Sequence, residues 1–428
     1  MTRASAIQPL DLTSLRAVVE ELRLGALPCR FEKAQQPDPS TLELGLRSLE
    51  GSLWLQLSWL AEAPRLLAIP PPERLGEGST LAQQLQHGLR GLALVSLEQP
   101  PWERVVELGF AARPGESVER SLVLELMGRH SNLFLLDPER RVIALGRQVR
   151  AAQSRVRPIG TGDPYQPPPP ASGERPSSAE SQESWRRRLS LLPLPLGKAL
   201  LSAYQGTSPA LVRQLLPDPA WAEQPVSALV EEQWQQLWRR WRQWLEALES
   251  GHFQLWWPQP GSYCCWQTAA HPAAAATPTE NPLAINQALA AHYDALLAER
   301  RQQQRRQALQ QRLQQALHRE MEQLQHQQSL LDAVPASEGL QQQADALLCL
   351  PSPSRDQIDE AQALYRRARK LRRSVAAITP RLEPTYTIPV SGSMDPPIQL
   401  EPDSDDTSVA HGPSALLSTG GVKIGPIL

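Results

Sequence analysis

Cysteine and lysine are scarce in this chain of 428 residues, and long apolar runs are missing. The four cysteines (Cys29, Cys264, Cys265 and Cys349) form no Cys-x-x-Cys pair, which argues against a disulfide framework and a zinc site. No apolar run approaches the ~18 residues of a membrane-spanning helix, and the first residues lack the apolar block of a secretory signal. We therefore expect a cytoplasmic protein without a metal ion or a membrane partner.

The motifs of common enzyme active sites are also missing. The sequence contains no glycine-rich phosphate loop, no His-Glu-x-x-His and no Gly-x-Ser-x-Gly, and its eight histidines are scattered. It therefore predicts no catalytic residues, no cofactor and no small-molecule substrate. We expect a binding protein rather than an enzyme.

Arginine supplies nearly all the positive charge. The chain has 43 Lys and Arg against 45 Asp and Glu, and only four of the cations are lysines. A segment of 18 residues holds six arginines and no acid, and a second basic stretch covers residues 355–381. The six arginines are Arg140, Arg141, Arg147, Arg150, Arg155 and Arg157. Two basic stretches followed by an acidic tail predict a polyanionic partner better than the net charge of −2 does.

The 41 prolines and the hydrophobic periodicity divide the chain into seven segments. These are a mixed α+β unit at 1–163, a Pro/Ser-rich linker at 164–188, a pair of short helices at 189–217, a Trp-rich helix with a hairpin at 218–268, a linker at 269–282, a helical arm at 283–382 and a disordered acidic tail at 383–428. The predicted fold class is α+β with a long helical arm.

The arm begins with the longest predicted helix. Residues 283–331 contain no glycine or proline, and such a helix would extend roughly 70 Å. Its leucines form an interrupted seam, and residues 356–378 form a shorter helix suited to return alongside it. The pattern indicates an imperfect antiparallel coiled coil.

One run of residues is specific enough to suggest a family. Glu125-Leu-Met-Gly-Arg-His-Ser-Asn132 predicts a strand, a glycine-containing turn and a second strand. It resembles the corresponding run of the NFACT family, which includes the bacterial RqcH and fibronectin-binding-protein-like factors. Four weaker motifs occur in the family's order, so the resemblance extends over residues 1 to about 382. These motifs are Asp11-Leu-Thr-Ser-Leu15, Glu20-Glu-Leu22, Gly206-Thr-Ser-Pro209 and Asp359-Glu-Ala-Gln362.

The resemblance implies both a fold and a function. It implies a glycosylase-like N-terminal domain (NFACT-N), a helix-hairpin-helix and an antiparallel coiled coil. It also implies a ribosome quality control factor that binds the large (50S) ribosomal subunit, its rRNA and tRNA after a stalled ribosome has split. Bacterial members recruit alanyl-tRNA, so that alanine is added to the stalled peptidyl-tRNA while the ribosome performs peptidyl transfer.

Three features select the candidate binding residues: the pair at 103–104, the turn of the run at 125–132 with Arg129 and His130, and the arginine-rich run. Glu103-Arg104 matches the family's Asp-Arg pair, with Glu in place of Asp, and the arginine-rich run is suited to phosphate. The predicted tRNA- and rRNA-binding residues are Glu103, Arg104, Arg129, His130, Arg147, Arg150, Arg155 and Arg157. Simpler interpretations stay open: a surface ion pair for Glu103 and Arg104, a braced turn for Arg129 and His130, and a solvated surface for the arginines.

Three alternative functions also stay open. The pattern ends at residue 382 without the family's further NFACT-R module, which suggests a non-tailing RNA- or ribosome-binding module. A DNA-glycosylase-like repair protein would need an N-terminal proline as nucleophile, whereas this chain has Thr2 and Arg3. A surface adhesin would need a signal, an anchor or a repeat, none of which we find in the sequence.

Overall fold

A computed structural model describes residues 7–76, 78–152, 154, 157–266 and 281–382. Its contacts divide the chain into two compact units, Met1–Leu309 and Gln310–Leu428. Three predictions lie partly or wholly outside the described residues: the disordered tail at 383–428, the linker at 269–282 and the binding residue Arg155. Thr2 and Arg3 lie outside them as well.

The first unit is built on a nine-stranded antiparallel sheet. Its strands, in chain order, are β1 (Cys29–Asp38), β2 (Thr41–Arg47), β3 (Ser52–Ser58), β4 (Arg65–Ile69), β5 (Ala93–Glu98), β6 (Val105–Ala111), β7 (Arg120–Glu125), β8 (Asn132–Leu136) and β9 (Val142–Leu145). Their order in the sheet is β4-β3-β2-β1-β5-β6-β7-β8-β9. Consecutive strands therefore pair directly everywhere except between β4 and β5.

Two helices accompany this sheet. α1 (Leu12–Ala26) starts at Asp11, whose carboxylate accepts a hydrogen bond from the Ser14 amide and so caps the helix. Its apolar face is fully buried against the sheet at Leu15, Val18 and Leu22. α2 (Thr80–Gly88) lies in the connection between β4 and β5. Helices with an antiparallel sheet confirm the predicted α+β class.

A second core of the first unit is formed by helices rich in tryptophan. The elements are α3 (Gln182–Leu189), α4 (Leu196–Ala203), α5 (Pro209–Leu215), α6 (Glu231–Ser250) and the hairpin of β10 (Trp256–Gln259) and β11 (Ser262–Cys264). The predicted Trp-rich helix is present as α6, and its Trp234, Trp241 and Trp244 are buried in this core. The predicted linker at 164–188 is wrong at its end, because α3 begins there and buries Trp185 completely in this core.

The long helix predicted at residues 283–331 is present as α7 (Ala284–Asp332). Its first turns belong to the core of the sheet, where Leu289 and Tyr293 are fully buried. The Glu21 carboxylate accepts hydrogen bonds from the Ile285 amide (2.8 Å) and the Asn286 amide (2.9 Å). This carboxylate caps the helix, because the first amides of a helix have no partner within it.

The C-terminal region is helical as well, with α8 (Ala336–Leu348) and α9 (Arg355–Leu382). These two helices pack antiparallel: Tyr365 donates a hydrogen bond to Asp345, and Arg372 donates one to Gln341. The leucines of the predicted seam are exposed at Leu309, Leu313, Leu317 and Leu324 of α7. A coiled coil between α7 and α9 stays a prediction.

Candidate nucleic-acid interface

Most of the predicted binding residues gather at one end of the sheet, where β6 and β8 begin and β7 and β9 end. The register places Val105, Glu125 and Asn132 side by side across β6, β7 and β8. The side chain of Asn132 forms two hydrogen bonds with the backbone of Arg147, so Arg147 lies next to this row. Adjacent strands are only ~4.8 Å apart, so residues just beyond the row lie close together. We call this surface the cationic edge, and it consists of Arg104, Arg129, His130 and Arg147.

The run Glu125–Asn132 forms the loop of the cationic edge. Residues Gly128–His130 make a single 3₁₀ turn, and Gly128 has a φ of 57°, which glycine adopts without strain. The buried Ser131 hydroxyl accepts a hydrogen bond of 2.8 Å from the Met127 amide and closes the turn. Arg129 and His130 are exposed at its tip. The loop therefore presents two polar side chains on a fixed backbone.

Asn132 attaches the neighbouring segment to this loop. Its buried side chain donates to the Arg147 carbonyl (2.7 Å) and accepts from the Arg147 amide (2.8 Å). The guanidinium group of Arg147 then donates a hydrogen bond of 2.9 Å to the Arg129 carbonyl. The hydrogen bonds between the Arg147 backbone and Asn132 hold Arg147 beside the turn, and its side chain is exposed.

Arg157 lies in a different environment. Its guanidinium group forms two hydrogen bonds, of 2.5 and 2.9 Å, with the carboxylate of Glu125, and only 17% of its side chain is exposed. The Tyr165 hydroxyl donates to the same carboxylate at 2.9 Å. Burial by itself would lower the pKa of Arg157, but the bonds and charge of Glu125 outweigh it and raise the pKa. In this structure Arg157 braces the sheet, and its role in binding nucleic acid stays a prediction.

The other arginines of the acid-free run are dispersed. Arg140 and Arg141 lie in the turn between β8 and β9, away from the cationic edge, and Arg140 forms a bidentate ion pair with Glu107 (2.8 and 3.2 Å). Arg150 is exposed in the segment after β9. The run that looked like a single basic patch in the sequence is therefore divided between an internal brace, a turn and the cationic edge.

Glu103 and Arg104 lead into β6. The Arg104 carbonyl accepts a hydrogen bond of 2.9 Å from the Leu126 amide, which joins this segment to the loop of the cationic edge. Partial burial raises the pKa of Glu103, against the opposing effect of Arg104 and Arg175. Among the described residues, neither side chain of the pair forms an ion pair. The preceding Trp102 has a φ of 62°, an uncommon backbone conformation for a residue with a side chain.

Two motifs that are far apart in the sequence meet in the structure. The Ser208 hydroxyl donates a hydrogen bond of 2.8 Å to the carboxylate of Asp11, across 197 positions. Next to this contact, the Trp244 indole N–H donates to the Thr13 hydroxyl at 2.8 Å. Asp11 and Ser208 belong to two motifs of the sequence, but nothing in those motifs predicted that the two side chains touch. Their contact joins the start of α1 to the start of α5.

The described residues contain no set of three or more His, Cys, Asp and Glu side chains arranged to hold a metal ion. None of the helices within the described ranges combines the length and the apolar composition needed to cross a membrane.

The fold and the cationic edge together define an α+β protein with an antiparallel sheet, a helical C-terminal region and a surface suited to polyanions. A family model described as NFACT N-terminal and middle domains matches residues 11–352. The chain therefore belongs to the NFACT family, as the run at residues 125–132 predicted.

Individual relatives agree with this assignment. Over 173 residues the chain is 29% identical to a protein named Rqc2 homolog RqcH from Streptococcus pneumoniae serotype 2 (strain D39), and the match covers 40% of this chain and 31% of the relative. The protein of the same name from Bacillus subtilis (strain 168) is 27% identical over 145 residues, covering 33% and 25%. The chain thus matches less than a third of the length of these relatives.

A solved structure has a similar fold. The N-terminal part of the fibronectin/fibrinogen-binding protein from Streptococcus suis superimposes with a TM-score of 0.50 at 22% identity. The match covers 67% of this chain and 99% of that structure.

Proposed function

We propose that this protein is a ribosome quality control factor that binds the large (50S) ribosomal subunit and tRNA. Membership of the NFACT family supports the general role, and the RqcH relatives share part of its length. The observation that carries the binding proposal is the cationic edge, where Arg129, His130 and Arg147 are exposed on adjoining segments.

The chemistry of the cationic edge suits a nucleic-acid backbone. Arginine presents a rigid fork of donors that matches phosphate oxygens, and each neutralised phosphate releases counterions. Ser131 and Asn132 already hold the loop through buried hydrogen bonds. Little ordering of the backbone is therefore needed when RNA binds, and binding should weaken steeply with salt.

The more specific role that we propose is based on membership of the NFACT family. We propose recruitment of alanyl-tRNA to the 50S subunit and support of alanine tailing on the stalled nascent chain. Peptidyl transfer would be performed by the ribosome, so the proposal requires no catalytic side chain here. A chain that binds 50S subunits without supporting tailing would instead fit the non-tailing binding module.

Part of the domain organisation is included in the same proposal. We assign α4 and α5 to a helix-hairpin-helix, because their connection contains Gly206 at a φ of 73° and Ser208 as the cap of α5. The glycosylase-like nature of the N-terminal domain, the coiled coil and the predicted segment boundaries other than the end of the linker at 188 are retained as proposals.

The direct test reverses charge on the cationic edge. We expect the double variant Arg129→Glu/Arg147→Glu to bind 50S subunits and tRNA about tenfold or more weakly, and the slope of log K against log salt to fall by about 1–2. Co-sedimentation with 50S subunits and filter binding of tRNA over a salt series measure both quantities. The matched control is Arg113→Glu/Arg141→Glu, which changes the same charge in turns away from the cationic edge.

The outcomes separate the parts of the proposal. Equal affinity and salt slope for the double variant and the wild type would show that the cationic edge is not the interface. Failure of the wild-type protein to bind 50S subunits and tRNA at low salt would contradict the function itself. An alanine-extension assay on stalled 50S complexes then distinguishes tailing from binding alone.

A further inference from the structure

A second candidate site lies in the first unit, on a different part of the sheet. A cleft of about 730 Å³ opens between strands β1 to β4 and residues 294–304 of α7. Its volume is typical of sites for small molecules. Much of its wall is apolar and stiff, because it includes Pro37, Pro39 and the run of three prolines at 70–72.

Two charged side chains at the base of this cleft are almost completely buried. Glu43 is 6% exposed and Arg65 is 4% exposed. The two approach a common neighbour, since Glu43 pairs with Gln56 across β2 and β3 and Arg65 donates a hydrogen bond of 2.7 Å to the Gln56 side chain. Buried charges are rare unless they have partners. Asp294 and Asp38 act on Arg65 as opposite charges, so it is the remaining donors and acceptors of the two groups that require an explanation.

Side chains and backbone of the protein bind one of the two carboxylate oxygens of Glu43 and two of the three guanidinium nitrogens of Arg65. Glu43 accepts a hydrogen bond of 2.7 Å from Gln35 through Oε2. Arg65 donates from Nε to Gln56 and from Nη1 to the Ala63 carbonyl at 3.0 Å. Among the described residues, Glu43 Oε1 and Arg65 Nη2 have no hydrogen-bond partner. Because both residues line the cleft, it contains one free acceptor and one free donor of opposite charge.

The rim adds further charge of both signs. The cleft residues include five acids, namely Asp38, Glu43, Glu62, Glu73 and Asp294, and three arginines, namely Arg65, Arg300 and Arg301. Glu62 and Arg300 neutralise each other at 2.7 Å. The five acids and three arginines leave an excess of two negative charges, which favours a ligand that carries an extra positive charge.

We propose that this cleft binds a small zwitterion of the amino-acid class, with its carboxylate on Arg65 and its ammonium group on Glu43. Basic amino acids bind more tightly than neutral ones, because their side-chain cation offsets the negative excess of the rim. The apolar stem of such a ligand lies against the proline wall. This site is independent of the cationic edge and of the proposed function.

Three probes of matched structure test the ligand class by calorimetry on the full chain. L-lysine carries all the proposed features, L-norleucine lacks the side-chain amine, and 1,5-diaminopentane lacks the carboxylate. We expect saturable binding of lysine, weaker binding of norleucine, and binding of the diamine about tenfold or more weaker than that of lysine. If the diamine binds as well as lysine, or if neither amino acid binds saturably, the proposal is overturned.

Variants test the position of the ligand. Glu43→Gln and Arg65→Lys should each weaken lysine binding about tenfold or more. Glu32→Gln and Arg47→Lys, which alter an exposed ion pair on β1 and β2 outside the cleft, should leave it unchanged. Wild-type affinity in both cleft variants would place the ligand elsewhere and overturn the proposal.

Circular dichroism checks that each variant is folded. If Glu43→Gln or Arg65→Lys does not fold, the variant Asp294→Asn tests the position of the ligand in its place. Asp294 is an exposed residue of α7 at the rim of the cleft, so its substitution should not disturb folding. We expect lysine binding to weaken about threefold in this variant and norleucine binding to weaken less. Unchanged affinity for lysine would then count against the site.

Discussion

Arg147 and Arg157 come from the same acid-free run, yet they occupy opposite kinds of environment. Arg147 is exposed on the cationic edge, and its guanidinium group donates a hydrogen bond to the Arg129 backbone carbonyl. Arg157 is mostly buried and is held by the carboxylate of Glu125, which is 1% exposed. The difference shows that a high density of arginine does not by itself define a binding surface. The position of buried acids in the neighbouring strands decides which arginines remain available.

The largest expected loss of stability concerns Arg157, the buried arginine of the two. Glu125→Ala removes the partner of Arg157 and Tyr165 and leaves a buried cation unpaired. We expect the free energy of unfolding to fall by roughly 3–5 kcal/mol, as for other broken buried pairs. Urea unfolding monitored by tryptophan fluorescence measures the change.

Glu32→Ala is the control for this substitution. Glu32 pairs with Arg47 at the surface of the same sheet, so its loss should cost at most about 1 kcal/mol. Equal losses in the two variants would mean that the Glu125 pair contributes no more than a surface pair, and the contrast between the two environments would disappear.

Conservative substitution of the two arginines sharpens the comparison. Arg157→Lys keeps the charge but cannot form the two-pronged contact with Glu125, so we expect a loss of roughly 1.5–3 kcal/mol in stability. Arg147→Lys should change stability by less than about 0.5 kcal/mol. The opposite order should hold for RNA, where Arg147→Lys should weaken binding more than folded Arg157→Lys does. Thermal unfolding and tRNA binding of both variants, measured side by side, reveal whether the two roles are distinct.

Arg140 is partly exposed and paired with Glu107, so it lies between Arg147 and Arg157 in environment. Removing its partner should have the smallest effect on stability. Burial alone would raise the pKa of Glu107, but hydrogen bonds from Arg140 and Ser121 lower it below its ordinary value of 4.5. Because the pKa is lowered in the folded protein, this group stabilises the fold above its unfolded pKa, and the contribution is lost as the pH falls through the lowered value. Glu107→Gln should therefore be slightly less stable than the wild type at neutral pH. Unfolding curves at neutral pH and well below pH 4.5 should show the difference disappear, and a difference that persists in acid would exclude this ion pair as its source.

Local patterns predicted much of the fold. The interval between proline and glycine residues predicted α7 to within one residue at each end, and the tryptophan-rich helix predicted within 218–268 is present as α6. The run at 125–132 predicted a strand, a turn and a strand, and it identified the family. In each case the signal lies within a short stretch of sequence, where periodicity and turn residues are informative.

Contacts between distant residues were not predictable in this way. Glu125 meets Arg157 across 32 positions, and Glu21 meets the start of α7 across more than 260. A signal for the first contact was available, because Glu125 follows the apolar residues Leu122, Val123 and Leu124 and a buried acid requires a cation. The sequence did not indicate which arginine would supply that cation, and no local pattern indicated the cleft at Glu43 and Arg65.

The cap on α7 has a mechanical consequence. One carboxylate, that of Glu21, accepts hydrogen bonds from two amides of α7 and from the Asn286 side chain, and Asn286 in turn accepts one from the Ala68 amide of β4. Helix α1, through Glu21, and the edge strand β4, through Ala68, thus both bind the first turn of α7. A force applied to that turn is shared by several hydrogen bonds at once. We therefore expect the start of α7 to withstand a larger force than any one of these hydrogen bonds would alone.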